Sequence, residues 1–263
     1  LSKVDDILMI DQSPATASSR SLPVTQTDAY THIRDLLARM PDALVKQLKA
    51  GYFSFNTEGG RCPHCEGKGI VSYAMQFMDD ITMVCDHCQC KRFTKEALAI
   101  RYRGKHIDDI LQMTITEAHH FFKEHPKIIK CLQPLLDVGL GYLRLGQSSA
   151  TLSGGEAQRL KLASVLAHKK SKRRYLILMD EPTTGLHHSD IQNLIVVFDT
   201  LLRDGHSIVV IEHHLDFLRI CDHLIDLGPE GREKGGLVVA EGPPAIVAKN
   251  KKSHTANKQY CII

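Results

Sequence analysis

The chain has 263 residues, 43% of them hydrophobic and 24% charged, which is ordinary for a soluble globular protein of one large or two modest domains. No apolar run approaches the length of a membrane span and no secretory signal opens the sequence, which excludes a membrane protein and predicts a cytoplasmic one. The net charge of +3 is too small to indicate a polyanionic partner by itself, and the first residue, Leu1, is typical of a processed or excised piece.

The N-terminal region predicts a strand, a loop and a helix. An apolar run bounded by acids at residues 6–11 indicates a buried strand, and the Ser-, Thr- and Pro-rich stretch 12–27 indicates a loop. Residues 28–39 then place their apolar side chains on one face, which predicts an amphipathic helix.

Two Cys-x-x-Cys pairs separated by 19 residues dominate the stretch 59–92, and the residues between them alternate as in a small hairpin. Each pair places two thiolates on one tight turn, and two such turns can close a tetrahedron around zinc. Eight cysteines in a reducing compartment favour metal or redox chemistry over structural disulfides. The expected ligands of a structural zinc ion are Cys62, Cys65, Cys85 and Cys88.

Two alternatives stay open for this module. The four thiols could be buried structural or redox groups without a metal, and Cys90 could compete as a ligand, although the four-cysteine set is more regular. His64 and His87 lie inside the pairs, and we expect them on the surface rather than on the metal.

The rest of the chain divides into a helical part and an α/β part. Between residues 94 and 145, glycines and Pro126 break the pattern into several short helices. From Ser153 onward helices alternate with strands, which predicts a largely parallel sheet covered on both faces, followed by a polar, mobile tail from Lys249. The expected α/β elements are a helix from Ser153, strands at 175–179, 207–211, 224–227 and 237–240, and a long helix at 189–203.

The most specific stretch opens the first of these helices and reads Leu152-Ser-Gly-Gly-Glu-Ala-Gln-Arg159. Ser153 and Glu156 have the spacing of a capping box. Gly154 and Gly155 let a ligand approach the helix start, where backbone amides and the helix dipole favour phosphate. A capped helix alone would explain the serine and the glutamate but not the glycine pair, so we interpret the stretch as a phosphate-binding element.

Two apolar strands end in polar groups typical of a nucleotide site. The first ends in Asp180 and Glu181, where one carboxylate can hold Mg²⁺ through water and the other can orient and deprotonate an attacking water. The second ends in Glu212 and His213, and this histidine could contact a γ-phosphate. A lone histidine after a strand is usually structural, but the ordered series of motifs favours function here.

In this order the motifs resemble those of the ABC-type ATPase family. The resemblance implies an α/β ABC-type core with a helical signature subdomain, a zinc-ribbon-like module inserted before the signature, ATP and Mg²⁺ as ligands, and ATPase activity in the complete protein. It places a Q-loop at Gln12, the signature at residues 153–156, a Mg²⁺ ligand at Asp180, the catalytic carboxylate at Glu181, a D-loop at 184–186 and a switch histidine at His213.

Within that family the chain resembles UvrA, the excinuclease subunits, over nearly its whole length. The longest match runs over residues 145–159, and shorter ones cover 10–14, 53–56, 59–62 and 226–230. The resemblance implies a homodimeric DNA-damage sensor of nucleotide excision repair, which binds damaged duplex without sequence specificity and loads UvrB through parts absent from this chain. The chain departs from the family at Cys90, where Gly is usual, and at His214, where Asn is usual.

No Gly-x-x-x-x-Gly-Lys-Ser/Thr phosphate loop occurs in the sequence. In the family this loop lies upstream of the first strand seen here, so we expect an incomplete core that is inactive alone. The expected divisions are 1–57 with the Q-loop strand and the start of the signature subdomain, 58–93 with the zinc module, 94–174 with the rest of that subdomain, 175–248 with the ATPase core, and 249–263 with the tail.

Cations flank the zinc module and predict contact with the DNA backbone. The alternative is that they are ordinary solvated charges, since Asp79, Asp80 and Asp86 lie among them. The candidate DNA-binding residues are Arg61, Lys68, Lys91, Arg92, Arg101, Arg103 and Lys105.

Three other functions fit parts of the sequence. A UvrA-like paralogue serving drug resistance would share all of these motifs. A zinc-dependent protein-binding module is suggested by residues 62–69, which resemble a DnaJ chaperone repeat, but this chain has one such repeat rather than four and also carries the nucleotide signature. The ATPase of a membrane transporter would not normally carry a zinc module between its Q-loop and its signature.

Overall fold

A computed structural model describes residues 4–11, 21–73, 81–167, 173–228 and 236–256. The helices are α1 (Pro23–Gln26), α2 (Ala29–Ala38), α3 (Pro41–Val45), α4 (Lys95–Ala99), α5 (Ile107–Gln112), α6 (Ile115–Phe121), α7 (Pro126–Asp137), α8 (Gly154–Ala167), α9 (His188–Arg203), α10 (Leu215–Ile220) and α11 (Pro244–Val247). The strands are β1 (Asp6–Ile10), β2 (Ile70–Tyr73), β3 (Ile81–Val84), β4 (Tyr175–Asp180), β5 (Ser207–Ile211), β6 (Leu224–Gly228) and β7 (Leu237–Gly242). Short 3₁₀ turns lie at Ala50–Phe53 and Ser149–Thr151.

A parallel sheet of three strands forms the centre of the α/β part, in the order β1–β4–β5. Ile10 pairs with Met179 and Asp180 pairs with Ile211, so the carboxyl ends of the three strands lie at one edge. On one face, Ile10, Ile177 and Met179 are buried in the main hydrophobic core, and α8 and α9 pack beside β1 and β5. This edge positions the candidate nucleotide site.

The opposite face of the parallel sheet is open. Ile7, Met9, Val209 and Ile211 point to this side and are 56%, 68%, 54% and 66% exposed. The expectation of a sheet covered on both faces is therefore wrong for the described part of the chain. Burial alternates along β1 because only one of its faces has a partner.

The strands β6 and β7 do not extend the parallel sheet, which corrects a second expectation. They form a separate antiparallel pair with an irregularity between Asp226 and Leu227. Eight residues, 229–236, separate the two strands, too few for the crossover that a parallel pair needs.

The C-terminal segment is packed against this pair as far as the structure describes it. Ser253 and Ala256 are buried, and the side chains of Ser253 and Thr255 donate hydrogen bonds to the carboxylate of Asp226. Asn250 Nδ2 donates to the carbonyl of Val239 at 2.9 Å. The expectation of a mobile tail from residue 249 is therefore wrong for residues 249–256, while 257–263 lie outside the described residues.

The helical part agrees with the predicted pattern of one amphipathic helix followed by short ones. The helix expected over 28–39 is α2, and its buried side chains join those of α7 and α8 in one core. Of the loop expected at 12–27, residues 12–20 lie outside the described residues, and residues 23–26 form the short helix α1. Pro23 occupies its first position, where the backbone N–H that proline lacks would have no partner within the helix. No helix in the described ranges is both long and apolar enough to cross a bilayer.

Candidate functional site

The four cysteines predicted as zinc ligands form one buried cluster. The Sγ atoms are 3.9 Å apart for Cys62 and Cys85 and 3.6 Å apart for Cys65 and Cys88, and all four lie within 4.8 Å of one another. Sulfurs at the corners of a tetrahedron with a Zn–S distance of about 2.3 Å are about 3.8 Å apart. The cluster therefore fits a structural zinc ion with four thiolate ligands.

The two Cys-x-x-Cys turns have the same backbone form and are joined by the predicted hairpin, β2–β3, of which 74–80 lie outside the described residues. The two residues after the second cysteine of each turn have a left-handed backbone conformation. Their φ angles are 50° at Glu66 and 79° at Gly67 in the first turn, and 50° at Gln89 and 63° at Cys90 in the second. Burial raises the pKa of the Cys65 thiol, so without a metal it would be protonated at neutral pH. Burial also raises the pKa of the Cys85 thiol, but hydrogen bonds from the backbone of Cys88 and His87 outweigh burial and hold that pKa below its usual range, so the four thiols are not alike.

The alternative ligand Cys90 lies outside the cluster and is exposed. His64 and His87 are exposed as well, and their rings contact each other with centroids 4.3 Å apart rather than joining the sulfurs. The structure thus brings together the four expected ligands and leaves these three residues at the surface.

Replacing Cys90 by Gly should stabilise the module. A left-handed residue with a Cβ costs about 1–2 kcal/mol, and the extra freedom of an unfolded glycine offsets about 0.5–1 kcal/mol of that. We expect a net gain of about 0.5–1 kcal/mol, measured as tighter zinc retention against a chelator. Lys91→Gly is the matched control, because φ at Lys91 is not positive, and it should weaken retention. Equal effects of the two glycines would contradict the backbone argument.

Arg92 fixes the zinc module to the rest of the protein. Its guanidinium donates to the carbonyl of Gly146 at 3.2 Å and lies 5.8 Å from the centre of the Phe55 ring. At Gly67 a Cβ would come within 2.1 Å of the Phe55 carbonyl oxygen, so the module packs too closely there for any side chain. The hydrogen bond from Arg92 thus joins the module to the segment around Gly146, which precedes α8.

The other predicted DNA-binding cations divide into two groups. Lys68, Lys91 and Lys105 are exposed, and their side chains make no hydrogen bond or ion pair within the described ranges. Three arginines have acidic partners inside the protein, at 3.5 Å for Arg61–Glu58, at 3.8 Å for Arg101–Asp109 and in a short contact for Arg103–Glu124.

The start of α8 has the capping box predicted from its sequence. Ser153 N donates to Glu156 Oε2 at 2.8 Å and Glu156 N donates to Ser153 Oγ at 3.3 Å. Tyr142 adds a hydrogen bond from its hydroxyl to Glu156 Oε1 at 2.7 Å. Burial raises the pKa of Glu156, but the hydrogen bonds from Tyr142 and Ser153 outweigh it, and the pKa lies below its usual range.

Gly155 at this helix start lies against the loop after β4. A Cβ at Gly155 would be 3.0 Å from the carbonyl oxygen of Thr184 and 3.4 Å from a terminal nitrogen of Arg159. Arg159 is 3% exposed, and its Nε and Nη1 have no hydrogen-bond partner among the described residues. The Arg159 guanidinium is enclosed by the protein, and its positive charge contributes to lowering the pKa of Glu156 in the capping box.

One buried side chain of α8 joins the ends of two strands. Gln158 Nε2 donates to the carbonyl of Ile10 at 3.0 Å and to that of Asp180 at 2.9 Å. Lys161 Nζ lies 2.7 Å from Asp11 Oδ1, directly before Gln12, which lies outside the described residues. Such contacts could not be predicted from the sequence, because they join distant residues. Gln158 and Ile10, for example, are about 150 positions apart.

The acids after β4 and the histidine after β5 meet at the same edge. His213 Nδ1 lies 3.7 Å from Glu181 Oε1, and both side chains remain substantially exposed, at 77% and 44%. Glu181 has a left-handed backbone, φ 43°, held by the hydrogen bond from its N–H to the carbonyl of Ile211 at 2.9 Å. Asp180 ends β4 beside it and is also exposed. A strained, exposed carboxylate next to a histidine is typical of a functional site.

Comparisons with known proteins place the whole chain in one family. Over 255 residues, 97% of the chain, it is 49% identical to UvrABC system protein A of Staphylococcus epidermidis, and over 255 residues it is 50% identical to that of Aquifex aeolicus. The chain spans only 27% of the length of these relatives. No protein-family model matches the chain.

A solved structure agrees with the sequence relatives. UvrA2 from Deinococcus radiodurans superposes with a TM-score of 0.89 at 39% identity, covering 100% of this chain and 32% of that one. Sequence and fold thus point to the same family over nearly the whole chain. The chain belongs to the UvrA family and corresponds to one part of the longer family members.

Proposed function

We propose that the complete protein is an ATP-dependent DNA-damage sensor of nucleotide excision repair, and that this chain supplies pieces of two nucleotide half-sites and a zinc-braced DNA-contacting module. The observation that carries the proposal is the convergence at one sheet edge of Asp180, Glu181 and His213, with Gly155 of α8 against the loop that follows Glu181. The relatives that it matches over 97% of its length are named UvrABC system protein A.

The two half-sites serve different nucleotides in this proposal. Asp180 would hold Mg²⁺, Glu181 would orient and deprotonate the attacking water, and His213 would contact the γ-phosphate of an ATP whose phosphate loop comes from another part of the protein. Ser153 and Gly155 face the ATP of a second nucleotide-binding domain, where the backbone amides and the dipole of the helix start favour phosphate. Neither half-site is whole in this chain, because its sequence contains no phosphate loop.

The zinc module supplies the proposed DNA contact. Zinc on the four cysteines would fix the turns that carry Lys68 and Lys91, and Lys105 lies beyond the base of the module. Contact with backbone phosphates carries no sequence information, which suits a protein that finds lesions anywhere. UvrB loading and homodimer formation belong to the complete protein in this proposal.

Neutralising the three exposed lysines tests the proposal. In the complete protein, replacing Lys68, Lys91 and Lys105 together by Ala should weaken binding to a lesion-containing duplex and flatten its log–log salt dependence, by up to about one unit per lost phosphate contact. The measurement is a titration by fluorescence anisotropy at several salt concentrations.

A second triple variant, which removes the same number of positive charges elsewhere, provides the control. Lys249, Lys251 and Lys252 are exposed on the C-terminal segment, and their replacement by Ala should leave affinity and slope unchanged. If both triple variants behave alike, the DNA does not follow the zinc module. DNA binding with no preference for a lesion would favour the drug-resistance paralogue over the repair protein.

A further inference from the structure

The carboxylate of Glu212 joins the loops that follow the two strands β4 and β5. Its Oε1 accepts hydrogen bonds from the N–H of Thr183, at 2.9 Å, and from the hydroxyl of the same residue in a short contact. Its Oε2 accepts from the N–H groups of His213, at 2.8 Å, and His214, at 3.0 Å. One half-buried side chain thus takes four donors, two from each loop.

This carboxylate is ionised at neutral pH. Burial raises the pKa of Glu212, but the hydrogen bonds from Thr183, His214 and His213 outweigh burial and hold the pKa below its usual range. Hydrogen bonds to an ionised acceptor are about twice as strong as neutral ones. The two loops are therefore held together more firmly than by backbone contacts alone.

Each of the joined loops also contacts a different half-site. On one side, the backbone held by Glu212 belongs to His213, whose side chain lies beside Glu181. On the other side, Thr183 precedes Thr184, whose carbonyl oxygen lies against Gly155 at the start of α8. A path of direct contacts therefore runs from His213 through the Glu212 carboxylate to Gly155, in addition to the hydrogen bond from Thr184 Oγ1 to Glu181 Oε2 at 3.3 Å.

We propose that Glu212 is a positioning residue that makes the histidine loop and the loop against the signature move together, so that the occupancy of one nucleotide half-site alters hydrolysis at the other. The inference rests on the proposed function, since it requires two nucleotides. A displacement of His213 toward a γ-phosphate pulls on Glu212, and through Thr183 it shifts the carbonyl that lies against Gly155. Such a link is an energetic coupling between sites and acts in both directions.

A double-mutant cycle in the complete protein tests the coupling. Glu212→Gln keeps the shape but replaces one acceptor oxygen by a donor, so the side chain can hold only one loop, and we expect kcat for ATP to fall about tenfold with little change in KM. Ser153→Ala weakens the signature half-site without touching Glu212. If Glu212 carries the coupling, Ser153→Ala should lower kcat at least about fivefold less in the Glu212→Gln background than in the wild type.

Thr183 provides a matched pair of variants should Glu212→Gln not fold, as judged by its thermal melt. Thr183→Ser keeps both donors and should resemble the wild type, whereas Thr183→Val loses the hydroxyl donor and should show the non-additivity with Ser153→Ala. Purely multiplicative effects in both cycles would overturn the inference and leave the proposed function standing. If the wild-type complete protein hydrolyses no ATP, the proposed function fails and the inference fails with it.

Discussion

Replacing Glu181 by Gln should lower the rate of ATP hydrolysis by the complete protein by about 10²- to 10⁴-fold, the contribution of a positioned general base. The amide has the shape of the carboxylate and keeps the backbone hydrogen bond to Ile211, but it cannot take a proton from water. ATP binding should persist, because the phosphate contacts lie elsewhere. A colorimetric phosphate assay with a parallel nucleotide-binding titration separates the two effects.

The same chemical change at an exposed position provides the control for Glu181. Glu241 lies on β7 away from the sheet edge, and Glu241→Gln should leave hydrolysis unchanged. The chain by itself should hydrolyse ATP negligibly, because its sequence contains no phosphate loop. Robust turnover by the isolated chain that Glu181→Gln abolishes would contradict the division into half-sites.

Replacing Cys85 by Ser should remove zinc and unfold the metal module while leaving the rest of the protein folded. Binding of a structural zinc ion contributes on the order of 10 kcal/mol, and it is coupled to folding. Among the described residues, Val71 is the one hydrophobic side chain packed against the cysteine cluster, so little else holds the module together. Zinc content by elemental analysis should fall from one ion per chain to none.

Hydrogen exchange shows where the zinc-free protein has lost structure. Amides of β2 and β3 should exchange rapidly in Cys85→Ser, whereas those of β4 and α9 should stay protected by the main core. Cys90→Ser is the matched control, because this exposed thiol lies outside the cluster and should retain the metal. A Cys85→Ser protein with full zinc content would show that the metal lies elsewhere.

Local signals were enough to predict the elements whose cause is local. The long helix α9 was expected at 189–203 and runs over His188–Arg203, because its apolar residues recur with helical spacing and Gly205 allows the turn after it, with φ of 89°. The clustering of the four cysteines was predictable, because two Cys-x-x-Cys turns already fix most of a tetrahedron. The capping box at Ser153 was predictable because its two partners, Ser153 and Glu156, are three residues apart in the sequence.

Contacts between distant parts of the chain could not be predicted in the same way. Arg92 was expected on DNA as one of several cations, yet its guanidinium lies on Gly146, 54 residues away. The sequence shows Glu212 only as the neighbour of a candidate histidine, whereas its hydrogen bonds to Thr183 join residues 29 positions apart. In contrast, the antiparallel pairing of β6 and β7 was within reach, since the short connection between them rules out a crossover.

The bare side of the parallel sheet governs how this stretch of polypeptide behaves in water. Ile7, Met9, Val209 and Ile211 form an apolar strip, and β5 is paired on one side alone within the described residues. An exposed apolar strip beside a strand with an unpaired edge favours association with a second copy of the chain. Each Å² of apolar surface removed from water contributes about 25 cal/mol of favourable free energy. The isolated chain is thus expected to self-associate as its concentration rises. In the complete protein, a further segment that packs onto this strip would be stabilised by burying its apolar side chains.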